Sequence, residues 1–224
     1  MKLSVWNIYL QNKKLRSEFI ITLILLIVVI FLLSRFLVFV EHRAGIILDD
    51  PVLKLFSPIN LTWLTFLLIY GGLIIAIINF AGEPERLIFA MQVYIMMVLI
   101  RIIAMYVVLF DPPSSMIQLK DPVVEYLGTG RQMNKDLFFS GHTATMFLLY
   151  LVSGRKFFRI LFLSFTLIVA ICVLIQHVHY TIDVLAAPFF SFGSYYLVCV
   201  FKEKFFNDEY LRLSQKQKVN QEVK

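Results

Sequence analysis

Charge is scarce in this chain. Only 16% of its 224 residues are Asp, Glu, Lys or Arg, against 59% hydrophobic, and the mean hydropathy is +0.79. A soluble globule of that composition would be hard to keep in solution. Cysteine is scarcer still: Cys172 and Cys199 both fall inside apolar runs, which argues against a disulfide framework. The sequence has no internal repeat, no low-complexity segment, and no spacing of ligand residues that calls for a metal or cofactor. No small-residue cleavage site follows the first apolar run, so that run reads as a retained helix and not a removed leader. The net charge is +6, but no basic face with interleaved aromatics lies outside the tails, so nucleic acid is not indicated as a partner.

Long apolar runs are what the chain has in abundance. A bilayer-spanning helix needs about 20 apolar residues, and six runs approach that length: 19–40, 61–80, 87–110, 137–152, 160–176 and 184–201. They predict an all-α integral membrane protein with a six-helix transmembrane bundle over residues 19–201. Residues 1–18 precede the bundle, and Trp6, Tyr9 and Leu10 there suit either a helix at the membrane interface or a disordered leader. A polar tail, 202–224, follows and is expected to fray past Asn207. The fourth run is the shortest of the six.

Lys and Arg divide unevenly between the two sides of such a bundle. Fourteen fall on one side: Lys2, Lys13, Lys14, Arg16, Arg86, Arg155, Lys156, Arg159, Lys202, Lys204, Arg212, Lys216, Lys218 and Lys224. Five fall on the other: Arg43, Lys54, Lys120, Arg131 and Lys135. Cytoplasmic loops carry the excess of Lys and Arg, so both termini are expected in the cytoplasm. The start of the fourth run, the end of the fifth and the start of the sixth then share the exoplasmic side.

Polar, titratable residues stand at those three places: Asp136 and Ser140-Gly141-His142-Thr143, then His179-Tyr180 and Asp183. Such groups at the edge of hydrocarbon are costly and are seldom there without a role. His179 and Asp183 are four apart, so on a helix they share a face. The carboxylate can then fix the imidazole tautomer and leave the other nitrogen free to attack. With His142 at matched depth, the set has the parts to break and remake a P–O bond without a metal. Ser140 and Gly141 open a helix whose N–H groups favour phosphate oxygens. The plain alternatives are a His–Asp pair that staples two helices and a Ser140 that merely caps one. Arg101 lies inside the third run, about 14 Å below its outer end. It must meet an anion, a lipid phosphate or an acid from another helix. Tyr94, seven residues earlier, shares its face and is placed in the same cavity. Arg35 lies near enough to the end of its run to snorkel. His177 points away from His179 on a helix and is left out of the site. Pro188 marks a kink.

These stretches resemble the sphingomyelin synthase family, also called ceramide phosphoethanolamine synthase-like, a branch of the type 2 phosphatidic acid phosphatase superfamily. Its Gly-Asp-x-x-Phe-Ser-Gly-His-Thr motif is matched by Asp136, Phe139, Ser140, Gly141, His142 and Thr143. Its His-Tyr-Thr-x-Asp-Val motif is matched by His179, Tyr180, Thr181, Asp183 and Val184. Its Arg-x-x-Thr-Met-x-Val-Thr element is similar to the stretch from Arg101 through Met105 to Val108, with Ala104 and Val108 in place of the two threonines. Asn134-Lys135 replaces the usual Cys-Gly. The resemblance covers roughly residues 90–200, and its departures bear on head-group and acceptor preference.

The resemblance implies transfer of phosphocholine or phosphoethanolamine from a glycerophospholipid donor to ceramide or a diacylglycerol-like acceptor. His179 would be the nucleophile, assisted by Asp183, and His142 the acid and then the base. Asp136, Thr143 and Tyr180 would line the substrate cavity. The alternative is a lipid phosphate phosphatase or phospholipase C-type hydrolase with water as acceptor. Those phosphatases resemble Lys-x6-Arg-Pro, Pro-Ser-Gly-His and Ser-Arg-x5-His-x3-Asp. Here the first is absent, Phe139 stands where Pro would, and Cys172-Val173 stand where Ser-Arg would. A non-catalytic lipid-binding or scrambling protein is a third reading, weakened by the intact catalytic positions.

Overall fold

The computed structural model describes residues 2–120 and 133–222, with side chains described for 5–120 and 133–204. Arg131 and Lys224, counted in the charge division above, lie outside the described residues. Among those that are described the secondary structure is helical, with no strand beyond one isolated bridge, Ile46 to Phe110. The helices are α1 (Lys2–Gln11), α2 (Lys13–Glu41), α3 (Thr62–Phe80), α4 (Pro84–Val107), α5 (Gly141–Val152), α6 (Lys156–Ile175) and α7 (Thr181–Glu222).

Local chemistry sets several of the boundaries. Asn12 separates α1 from α2, and its Oδ1 accepts from the N–H groups of Lys14 and Leu15 at 2.9 and 3.4 Å, two of the donors a helix start leaves without partners. Pro84 occupies the first turn of α4, where its missing N–H costs nothing. Ser140 caps α5, with its side chain accepting from Thr143 N–H. The tail expected to fray is instead the end of α7, which runs unbroken to Glu222. Leu, Lys, Arg, Gln and Glu dominate that stretch and are strong helix formers.

Among the described residues, five helices are long and apolar enough to cross a membrane: α2, α3, α4, α6 and the first 24 residues of α7. They bear large exposed apolar side chains, among them Trp63 (89%), Phe189 (78%) and Leu67 (68%). Apolar surface on that scale belongs against lipid, and the protein is an integral membrane protein.

The fourth apolar run differs from its expected form. Its helix, α5, has 12 residues and is about 18 Å long at 1.5 Å per residue, short of a bilayer. No residue of α5 is exposed. It is held between α6 and α7 and touches α3 and α4. Its apolar character reflects burial in a protein core and not contact with lipid. Phe139, Ala144, Met146 and Leu148 interlock there with Val93 and Met97 of α4, Phe162 and Val169 of α6, and Ala187 of α7.

The helices alternate in direction. Lys202 of α7 and Glu18 of α2 form an ion pair at 3.0 Å, which puts the start of α2 and the far part of α7 at one end of the bundle. At the other end the connecting segments are knitted together. Glu41 accepts from the N–H groups of Asn134 and Lys135 at 3.0 and 3.1 Å. The Lys135 ammonium lies 2.7 Å from Asp111 and donates to the Arg43 carbonyl at 2.6 Å. Gln176 accepts from Leu61 N–H and donates to Thr62 Oγ1. This knitted end holds every candidate site residue except Tyr94.

Candidate active site

A cavity of about 680 Å³ is walled by α2, α3, α4 and α5. Arg101, Asp136, Gly141, His142 and His179 line its knitted end, and Tyr94 lies further down the same wall. Beyond Tyr94 the lining is apolar, through Leu73, Met91 and Leu87 to Phe80. From Arg101 to Leu87 along α4 is about 21 Å, the length of an extended acyl chain rather than of a sugar or nucleotide.

His142 stands in the first turn of α5, and its ring centroid is 6.1 Å from that of His179, with the planes at 63°. The edge of His142 also meets Phe66 of α3 at 6.4 Å. His179 departs from the expectation of a helical residue: it lies in the bend between α6 and α7. The pair with Asp183 forms by a different device. Tyr180 precedes the first helical residue of α7, and Asp183, the third, turns its Oδ2 back to accept from Tyr180 N–H at 3.0 Å. This is the return half of a capping box. The same Oδ2 lies 3.5 Å from His179 Nδ1. That is longer than a well-formed hydrogen bond. Asp183 is fully buried behind His179 and does not line the cavity, as suits a group that orients an imidazole.

The α4 helix ends at Val107, earlier than the apolar run suggests, so Arg101 is about 9 Å from its end. Its anion in this structure is a protein carboxylate: Nη2 lies 2.6 Å from Asp136 Oδ1, and Nε donates to the Phe139 carbonyl at 2.8 Å. Gly141 also takes a part different from the one expected. A Cβ built there would stand 2.8 Å from Arg101 Cζ. The missing side chain admits the guanidinium, flat against the start of α5.

Besides Asp183, three sequence candidates do not line the cavity: Ser140, Thr143 and Tyr180. Ser140 is committed to capping: its Oγ accepts from Thr143 N–H at 3.5 Å and donates to Thr143 Oγ1 at 3.2 Å. That exchange also occupies Thr143. Tyr180 is a strut, its hydroxyl donating to the Asp111 carbonyl at 2.8 Å and accepting from Leu48 N–H at 3.2 Å. Burial pushes its phenol pKa up, so the proton it donates is retained. Pro188 lies within α7, away from the wall.

Sequence reasoning missed Asp50, in the segment between α2 and α3, and it excluded His177 on a helical premise that the structure does not support. His177 sits in the turn after α6 with φ of 54°, and its Nδ1 is 2.6 Å from Ser115 Oγ. Burial lowers the His177 pKa below its ordinary value, against a smaller opposing pull from Asp50. For Asp50, burial acts to raise the pKa, but the hydrogen bonds it accepts from Thr181, Val52 and Leu53 outweigh it and leave the carboxyl below its ordinary value.

The His177 shift has a definite sign. A depressed folded pKa means that the folded state binds fewer protons than the unfolded chain, so stability rises with pH in that window. The contribution is complete above about pH 6.5, the ordinary His value, and is lost as pH falls through the lowered one. Melting temperature in detergent should therefore drop between pH 7 and the mildly acidic range. His177→Asn should flatten that slope, since Asn tolerates positive φ and does not titrate. Parallel slopes in the two proteins would exclude His177 as the cause.

Residues 135–200 match the family described as PAP2 superfamily C-terminal. A comparison with curated proteins found no match. The family match spans Asp136, His142, His179 and Asp183 and leaves Arg101 outside it. It supports the type 2 phosphatidic acid phosphatase superfamily, whose members act on phosphate esters as phosphatases and phosphotransferases.

Proposed function

We propose that the chain transfers a phospho-alcohol head group, phosphocholine or phosphoethanolamine, from a glycerophospholipid to ceramide or a similar lipid alcohol. The carrying observation is one cavity with two histidines 6.1 Å apart at its polar end and an acyl-length apolar wall below. An attacked atom about 3 Å from one ring and a leaving oxygen within about 3 Å of the other fit that gap.

In the proposed reaction the nitrogen of His179 remote from Asp183 attacks phosphorus, and the P–O bond to diacylglycerol breaks. The departing oxygen takes a proton from His142, leaving diacylglycerol and a phosphohistidine ester. His142, now neutral, removes the proton from the acceptor hydroxyl. The acceptor oxygen attacks phosphorus, and the P–N bond returns its electron pair to His179. Arg101 and the first N–H groups of α5 hold the phosphoryl oxygens. Among the described residues of the cavity wall Arg101 is the one Lys or Arg, and Asp136 already balances it. A phosphomonoester carries about −1.5 to −2 charges, more than this wall can match. A phosphodiester carries one and leaves the smaller charge unmatched, which supports head-group transfer over a phosphatase.

The deciding assay uses purified protein in mixed micelles with labelled ceramide and defined phospholipids, and resolves the products by mass. Ceramide bearing the donor's head group is expected. Free phospho-alcohol as the sole product, with ceramide present and unused, would establish the hydrolase instead.

The same proposal places both termini in the cytoplasm and the site on the exoplasmic side, with α5 as the short fourth of six passes. The uneven division of Lys and Arg supports this. A cysteine at position 114 should be labelled from outside intact cells and one at 156 should not; the reverse pattern sinks the orientation.

A further inference from the structure

The segment between α2 and α3 carries a buried carboxylate that no motif and no step of the reaction uses. Asp50 is 6% exposed. Its Oδ1 accepts from the N–H groups of Val52 and Leu53 at 2.9 and 3.4 Å, which folds its own loop around it. Both oxygens also reach α7. Oδ2 accepts from Thr181 N–H at 2.6 Å, and Oδ1 accepts from the Thr181 hydroxyl at 3.1 Å.

The start of a helix leaves its first N–H groups without partners inside the helix. At α7 the preceding residue is Tyr180, whose hydroxyl is engaged with Asp111 and Leu48 and cannot cap. Asp50 supplies the missing acceptor from a segment distant in sequence. The first turn of α7 is thus held from two sides, by Asp183 on Tyr180 N–H and by Asp50 on Thr181. His179 immediately precedes that turn, and Asp183 lies within it.

We infer that Asp50 is a positioning residue for the His179–Asp183 pair, clamping Thr181 and thereby setting where the Asp183 carboxylate stands relative to His179. The inference rests on the reading of His179 as nucleophile. Asp50 does not line the cavity and touches no substrate. A carboxylate suits the place because every group it meets is a donor and both its oxygens accept. A negative charge at a helix start is also favourable. An asparagine there must turn its NH2 toward one of those donors.

The test compares full-length wild type with Asp50→Asn in the mixed-micelle assay. Displacement of a reacting group by about 1 Å costs about 10²-fold in rate, so kcat should fall by 10- to 100-fold, in keeping with that scale. The KM for donor phospholipid should stay within about twofold, because no substrate contact is removed. Added to Asp183→Ala, which removes the side chain whose place Asp50 is inferred to set, the substitution should slow the enzyme no further. Losses that multiply, or a raised KM at constant kcat, overturn the inference.

Hydrogen exchange over residues 176–188 provides a readout independent of turnover. Protection at the start of α7 should fall in Asp50→Asn while melting stays cooperative, and unchanged protection overturns the inference. Should Asp50→Asn not fold, Thr181→Val removes the hydroxyl contact alone and should give a smaller loss in both measurements; wild-type values in both overturn it. A wild type without transfer or hydrolysis would remove the proposed function, whereas exchange would still decide whether Asp50 holds the helix start.

Discussion

Replacing His179 by alanine should abolish head-group transfer and every partial reaction with it. In the proposed reaction the nitrogen that attacks phosphorus is then gone, and His142 at 6.1 Å cannot replace it while serving as acid. Wild type without acceptor should release diacylglycerol slowly as water takes the acceptor's place, and the two-lipid kinetics should give parallel lines. His142→Ala should retain donor binding and stall at departure of the leaving group. Intersecting lines without acceptor-independent diacylglycerol would mean direct transfer between two bound lipids, with His179 reduced to a base.

Asp183→Asn is the sharper substitution, because the geometry bears on its outcome. One oxygen, Oδ2, faces both Tyr180 N–H and His179 Nδ1. An amide oxygen placed there keeps both contacts and the imidazole tautomer; what disappears is the charge that stabilises the imidazolium. The rate should then fall by about 10²–10³, the scale of losing one preorganised electrostatic partner. In the serine proteases the corresponding exchange costs about 10⁴ through the wrong tautomer. A loss of that larger size would mean the amide sits reversed. A wild-type rate would remove Asp183 from the reaction.

Arg101→Leu should be nearly as damaging. It removes the cation from the cavity wall and leaves Asp136 without its counter-charge. Activity should drop by about 10²–10³, and Arg101→Lys should restore only part, since a point charge cannot replace a planar fork that also reaches the Phe139 carbonyl. Gly141→Ala should reproduce much of the defect without touching a charge, because its Cβ would stand 2.8 Å from Arg101 Cζ. Combining Gly141→Ala with Arg101→Leu should add nothing, since the guanidinium that the Cβ would meet first is already gone. Wild-type turnover in Arg101→Leu would remove the guanidinium from the site, and independent losses would place Gly141 elsewhere in the reaction.

Residues within a few positions of one another were legible before the fold. Ser140-Gly141-His142-Thr143 could be placed at the start of an apolar helix, because capping chemistry is local, and the structure has Ser140 as that cap. Tyr94 and Arg101 could be placed on one face, because helical periodicity is local too, and both line the cavity. The same reasoning failed at His179. Four-residue spacing with Asp183 implied a shared helix face, but α7 begins at Thr181 and the contact comes from a capping turn. It left α5 open too, where one apolar pattern serves either lipid contact or packing among other helices and only the neighbours distinguish them.

The sequence by itself determined the all-helical membrane class and the run boundaries to within several residues, because transfer of side chains from water to hydrocarbon depends on composition over a window and not on partners. It also led to the expectation that His142, His179, Asp183 and Arg101 lie together, because isolated polar groups in hydrocarbon are too costly to be scattered; Arg101, His142 and His179 line one cavity, with Asp183 beside His179. Only the tertiary structure decided what each of them touches. Arg101 could have met any acid; Asp136, 35 positions on, became its partner because the segment after α4 is pinned by Glu41 and Asp111. Gly141 could have admitted a ligand and admits a guanidinium. Asp50 carries no motif, and its contact with Thr181 bridges 131 positions. Such pairings follow from how helices pack, and a contact so distant along the chain leaves no local pattern by which to find it.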